Sequence, residues 1–276
     1  MQPDRGTQGV GSEAVRSEID TNVPQSARVY DFLLGGKDNF AADRAVGGVL
    51  IEQVPALPLM VKAQRAFLAR AVRYLVAEAG VRQFLDLGTG IPTANNVHEV
   101  AQEIAPEVRV LYVDNDPIVL AHARALMTGH PAGRTAYIQA DLRQPEAIMA
   151  DRTLSATLDL TEPVALMLVG ILMHLRGDDD PYKIVATLME TLPSGSYLTL
   201  THPSADFDPA GMTALAASAE QSGIPYVPRS RAETERFSSG LDLVDPGVVP
   251  ILGWRPDEEP ADVNSVYGWA SVARKP

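Results

Sequence analysis

At 276 residues the chain is long enough for one large α/β domain, and 46% apolar residues supply a sizeable core. It has no cysteine, which excludes disulfides, thiolate metal sites and cysteine nucleophiles, and no metal is expected. A formal charge of -12 disfavours a nucleic-acid partner, because phosphate backbones are held by clustered Lys and Arg.

No apolar run approaches membrane-spanning length, and the N-terminus is polar and contains acids, unlike a secretory signal. A cytoplasmic protein without a membrane partner is expected. Residues 1–24, rich in Gly, Gln, Ser and acids, read as a disordered tail. Residues 25–80 read as an N-terminal helical cap. Its first piece, residues 26–40, is a short helix broken at Gly35-Gly36, followed by a helix over 41–54 that ends near Pro55 and Pro58. Over 62–79, Phe67, Leu68, Ala71, Val72, Leu75, Val76 and Ala79 recur at three- and four-residue steps, an amphipathic helix that Gly80 ends.

From residue 81 strands and helices alternate. Strands are predicted over 83–87, 109–113, 136–139, 164–169 and 197–201, with helices over about 93–104, 117–127, 145–150 and 181–191. Helices follow over 208–221 and 230–237, and two late strands over 240–244 and 266–273. Residues 81–276 thus read as one α/β domain whose seven-stranded, mostly parallel sheet has an antiparallel edge strand and helices on both faces. An insertion at about 203–260 lies on the substrate side.

The sheet's organising feature is Phe84-Leu85-Asp86-Leu87-Gly88-Thr89-Gly90, an apolar strand that ends in an acid and opens onto two glycines. Many nucleotide enzymes share such a loop. Asp86, however, would repel a pyrophosphate and attract an ammonium or sulfonium, and Thr93 stands where a dinucleotide fingerprint has its third glycine. Asp114 ends the second strand, where a carboxylate accepts ribose hydroxyls, and Asp141 ends the third, placed for an adenine amine. Together the three acids suit the amino group, ribose and base of S-adenosylmethionine. Each alone could equally cap a helix or turn.

With these blocks in view, the sequence resembles a class I, Rossmann-like S-adenosylmethionine-dependent methyltransferase, and more narrowly the actinobacterial S-adenosyl methyltransferase family. The resemblance rests on Ala27-Arg28-Val29-Tyr30-Asp31 with Leu34-Gly35-Gly36-Lys37-Asp38-Asn39, and on the strand-one block with Pro92-Thr93 and Asn96-Val97-His98-Glu99. It also rests on Tyr112-Val113-Asp114-Asn115-Asp116-Pro117 and Gln139-Ala140-Asp141-Leu142-Arg143. It implies a fold and a cofactor, S-adenosyl-L-methionine, with Asn115 and Leu142 among the cofactor-binding positions beside Asp86, Gly88, Thr89, Gly90, Asp114 and Asp141. It implies no acceptor. After the fourth strand the run is Gly170-Ile171-Leu172-Met173-His174-Leu175, with the family's histidine but without its neighbouring aromatic.

Methyl transfer is an in-line displacement, so alignment and water exclusion come first, and a base is optional. His174 is the candidate for proton removal or acceptor orientation, or else bonds a backbone carbonyl; His202 is the second candidate. Arg28 or Lys37 could pair with the cofactor carboxylate while Tyr30 and Gly35-Gly36 close over its methionine end, or the block could only lock a helix onto the sheet. Thr93 and Asn95 are candidates for the cofactor's amino-acid end. Tyr226, Arg229, Arg231 and Trp254 are possible pocket residues. The expected activity is methyl transfer to a small-molecule acceptor. The alternatives are a non-catalytic cofactor-binding regulator and a nicotinamide-dependent oxidoreductase.

Overall fold

The computed structural model describes residues 20–126 and 128–276. The expected tail therefore falls outside the described residues up to position 19. Positions 20–24 are described as a turn whose Asp20 and Val23 carbonyl oxygens accept from Arg28.

Helix α1 (Ser26–Leu34) ends at Gly35, where φ is +85° and the amides of Gly35 and Gly36 return to the carbonyls of Phe32 and Asp31. Glycine tolerates this left-handed closure without a Cβ clash. Helix α2 (Ala41–Gln53) opens with the Asp43 carboxylate accepting the Phe40 amide at 2.8 Å. Helix α3 (Leu57–Ala77) starts five residues before the predicted 62, because Pro58 sits in its first turn, where the missing amide would have no partner. Its apolar face, with Phe67, Ala71, Val72 and Leu75 wholly buried, lies in the core on one side of the sheet.

The sheet runs β3-β2-β1-β4-β5-β8-β6, with β7 also on β8. Strands β1 (Gln83–Leu87), β2 (Arg109–Asp114), β3 (Arg134–Gln139), β4 (Ala165–Val169) and β5 (Tyr197–Pro203) are parallel, and β8 (Gly268–Arg274) runs against β5. The observed class is the predicted one, a Rossmann-like, mostly parallel α/β sheet. Among the described residues it has eight strands rather than seven, since the antiparallel margin carries two short pieces, β6 (Asp242–Leu243) and β7 (Val249–Pro250). Proline-interrupted backbone there permits only two-residue pairings.

Helix α4 (Val97–Ile104) starts four residues later than predicted, because Asn96 and Glu99 form its capping box and residues 91–96 stay a loop. The sequence reading also missed α7 (Arg152–Thr157), capped by Asp151 after α6 (Pro145–Met149). Helices α5 (Pro117–Leu126), α8 (Pro181–Thr191) and α9 (Pro209–Gln221) lie where they were predicted, and Ser230 with Glu233 caps α10 (Arg231–Glu235). Two apolar cores, one on each face of the sheet, hold the layers together. No single described helix is long and apolar enough to cross a membrane.

Strand order reverses between β1 and β4, since β2 lies on one side of β1 and β4 on the other. In such sheets the crevice at the carboxyl ends beside the reversal is where ligands bind.

Candidate active site

Two-residue periodicity puts Leu85 and Leu87 of β1 in one core, and Phe84 with Asp86 on the face covered by α3. The chain then leaves the strand through Gly88 (φ +74°) and Gly90 (φ +67°). A Cβ on Gly88 would lie 2.4 Å from Ile171 Cγ1, so sterics as well as dihedral require glycine. A Cβ on Gly90 would meet nothing within 4 Å, because this turn faces open cleft. The Gly90 amide donates to Asp114 Oδ2 and the Asp116 amide to Asp114 Oδ1, both at 2.9 Å. These bonds fix the Asp114 carboxylate between the first two strand ends and leave each oxygen a further lone pair.

A cleft in two lobes runs over these ends. Gly88, Asp114, Asn115 and His174 border both lobes. The first lobe adds Tyr30, Arg65, Asp86, Thr89 and Gly90, and the second adds Asp141, Leu142 and Ile148. Of the three strand-end acids predicted from the sequence, Asp114 borders both lobes, Asp86 the first and Asp141 the second.

Asp86 is 7% exposed, and its carboxylate accepts no hydrogen bond from any described residue. Burial pushes its carboxyl up to about 7, against the pull of the Arg65 guanidinium and with the help of the Asp114 charge. Asp114 is also raised by burial, opposed by the amides of Asp116 and Gly90. Asp141 is lowered, first by its hydrogen bonds with Arg143, whose Nη2 lies 2.6 Å from Oδ2.

The N-terminal block behaves differently from its predicted role. Arg28 does not line either lobe; it is 1% exposed and its Nε lies 2.9 Å from Asp43 Oδ2. Gly35, Gly36 and Lys37 also stand outside the cleft. Gly35 caps α1, Lys37 is exposed, and Gly36 packs so closely that a Cβ would lie 2.0 Å from Asp31 Oδ1. Asp31 Oδ2 accepts from the Asp38 amide at 2.9 Å and Asn39 Nδ2 at 2.8 Å, so the block is a self-bonded turn. Thr93 and Asn95 do not line the cleft either, since the late start of α4 leaves them in the loop. Tyr30 does line it, with its hydroxyl donating to the Val61 carbonyl and burial raising its phenol to about 12.

Two cleft residues escaped the sequence reading. Arg65 Nη2 donates to the carbonyls of Ala94 and Asn95 at 3.0 Å, while its buried Nε has no partner. Gln64 is 3% exposed with an unpartnered Oε1. Both sit on α3, where residues 57, 60, 61, 64 and 68 share a face. A glutamine on an otherwise apolar stripe was the available signal.

His174 Nδ1 lies 2.7 Å from the Pro225 carbonyl oxygen. A carbonyl only accepts, so Nδ1 carries the proton and Nε2 keeps its lone pair. Burial lowers this imidazole below its ordinary range. Burial lowers His202 to about 3, and it is locked between the Pro203 carbonyl and Arg229 Nη1. Arg229 also donates to the carbonyls of Leu172 and Leu175, and so holds the turn that carries His174. Trp254 is fully buried against Phe67 and Tyr74, and Arg231 lies over Trp269; neither borders the cleft. Tyr226 does border it.

A family model described as S-adenosyl methyltransferase matches residues 12–276. A DUF574 family protein of Streptomyces avermitilis is 45% identical at a TM-score of 0.90, over 93% of this chain and 99% of that one. A protein of Thermobifida fusca assigned as a methyltransferase is 40% identical at a TM-score of 0.87, over 96% of this chain and 99% of that one. A SAM-dependent methyltransferase of Anabaena variabilis, 12% identical at a TM-score of 0.51 over 87% and 96% of the two chains, shares the fold. No curated protein matches. With a family match over nearly the whole length and a cleft framed by strand-end acids and glycines, the chain belongs to the S-adenosyl methyltransferase family, enzymes whose cofactor is S-adenosylmethionine.

Proposed function

We propose that this protein transfers a methyl group to a small-molecule acceptor, with the cofactor held along the ends of β1, β2 and β3 and His174 taking the acceptor's proton. The observation that carries the reading is Asp86, a buried carboxylate that lines the cleft and accepts no hydrogen bond from any described residue. Such a group calls for a cation.

The donor set suits the cofactor part by part. Asp86 would meet its positive charges, the free lone pairs of Asp114 its ribose hydroxyls, and Leu142 with Ile148 the flat faces of its base. The unpartnered Arg65 Nε would meet its carboxylate, the role first given to Arg28 or Lys37. Asp141, already bonded by Arg143, would keep an oxygen edge for the adenine amine. Bound there, the cofactor supplies an electrophilic methyl on a sulfonium, which transfer leaves as a thioether. The protein's own share is orientation, exclusion of water beneath α1, α2 and α3, and removal of a proton by His174 Nε2.

Calorimetric titration with S-adenosylmethionine, S-adenosylhomocysteine and NADPH tests the cofactor, and labelled-methyl turnover in a metabolite extract tests the transfer. Micromolar binding of the first two, its loss in Asp86→Ala and Asp114→Ala, and label in small organic products are expected. NADPH binding without S-adenosylmethionine binding would overturn the cofactor, and binding with no turnover would overturn the transfer.

A further inference from the structure

The cleft extends past the strand ends that hold the donor, under the N-terminal helices. This part is walled by Leu33 of α1, Leu50 of α2, Leu57 and Met60 of α3, Met173 after β4, and Ala219 of α9. The charged groups that line the first lobe (Arg65, Asp86, Asp114 and Asp116) lie elsewhere, at the ends of β1 and β2 or, for Arg65, bonded to the loop over 94–96. The six walls of this chamber named above are all apolar. A charged molecule entering it would lose its hydration without gaining a counter-ion.

Gln64, Tyr226 and His174 are polar residues that line the same lobe. Gln64 Oε1 is buried and unpartnered, and a Cβ on Gly170 would lie 3.0 Å from it, which puts this carbonyl over the end of β4, the neighbour of β1. Tyr226 contributes a half-buried phenol, with its ring 6.4 Å from that of His174 in an edge-on arrangement. His174 offers the lone pair of Nε2. The Tyr30 hydroxyl, by contrast, is already donated to Val61.

A buried amide oxygen beside an apolar chamber, with no donor among the described residues, is an acceptor left open, and protein interiors rarely leave one so. A ligand O–H or N–H completes it. The two methionines adapt their flexible thioethers to a flat or irregular apolar body. Resting on the proposed methyl-transfer reading, we infer that the acceptor is a neutral, predominantly apolar small molecule that presents one hydroxyl or amine N–H to the Gln64 carbonyl oxygen, in the lobe that His174 also lines. The amide oxygen orients that group, and the apolar walls hold the rest.

The test uses the full chain with saturating S-adenosylhomocysteine and four probes of one size: 2-naphthol, 2-methoxynaphthalene, 2-naphthoate and 2-naphthylmethylammonium. Their affinities are read by calorimetry. 2-Naphthol should bind at least tenfold more tightly than either charged probe and more tightly than the ether. Gln64→Leu should abolish the preference for naphthol over the ether. Leu50→Trp, which fills the chamber, should abolish naphthol binding while S-adenosylhomocysteine affinity stays within twofold, which also reports that the variant folds. Equal or tighter binding of a charged probe, or naphthol binding that survives Leu50→Trp, would overturn the inference. Failure of S-adenosylhomocysteine to bind the unaltered chain would instead overturn the cofactor reading beneath it.

Discussion

Arg28 Nε stands 2.9 Å from Asp43 Oδ2 with both side chains excluded from water, which ties α1 to α2 across the roof of the cleft. Asp43 also accepts the amides of Gln25 and Phe40. Breaking such a pair strands a buried charge and costs about 3–5 kcal/mol, whereas replacing both partners with apolar groups is often near neutral. Arg28→Met should therefore unfold at markedly lower denaturant, and Arg28→Met with Asp43→Leu should recover most of the loss. Urea midpoints of the three proteins decide it.

Asp86 links binding to pH. Its folded carboxyl is raised from 3.8 to about 7, so the unliganded fold holds a proton that the unfolded chain releases. Its effect is to destabilise the free protein progressively as pH rises from about 4 to about 7, with no penalty below that window. A bound cation favours the carboxylate, so cofactor binding should release a proton and tighten as pH rises to about 7, then level. Asp86→Asn should raise the melting temperature at pH 8, flatten the pH dependence and weaken cofactor binding at least tenfold. Calorimetry in buffers of different ionisation enthalpy counts the proton directly.

Arg65 both bonds the loop before α4 and opposes the charge of Asp86. Arg65→Leu should weaken S-adenosylhomocysteine binding more than tenfold. Arg65→Lys should restore only part of it, because a single ammonium cannot reach two carbonyls and a ligand carboxylate together. Titration of both variants gives the answer.

His174→Ala should lower kcat about 100-fold with S-adenosylhomocysteine affinity within twofold, the signature of lost proton transfer rather than lost donor binding. Because burial holds His174 below its ordinary range, its base form persists into mild acid, and the turnover of the unaltered enzyme should not decline through an imidazole titration between pH 6 and 8.

Gly36→Ala should destabilise the fold by about 1–3 kcal/mol, since its Cβ would strike an Asp31 carboxylate held in place by Asp38 and Asn39. Thermal unfolding of the variant measures it.

Much of this was legible in the chain. Alternating strands and helices, the glycines after Leu87 and the acids at positions 86, 114 and 141 pointed to the sheet and to the strand ends where the cleft lies, because residues i and i+2 must share a face and a parallel strand's carboxyl end must open toward its crossover. Local chemistry also marked the break in the first helix at Gly35-Gly36.

What the chain could not decide was which cation faces the cleft. Arg28 and Arg65 are both arginines on amphipathic helices, with nothing local to separate them. Only the tertiary arrangement does so: α1 against α2 puts Arg28 beside Asp43, while α3 packed over the sheet turns Arg65 and Gln64 toward Asp86 and the end of β4. Periodicity says that a helix has a buried face, and the packing of its neighbours decides whether that face meets another side chain or a ligand.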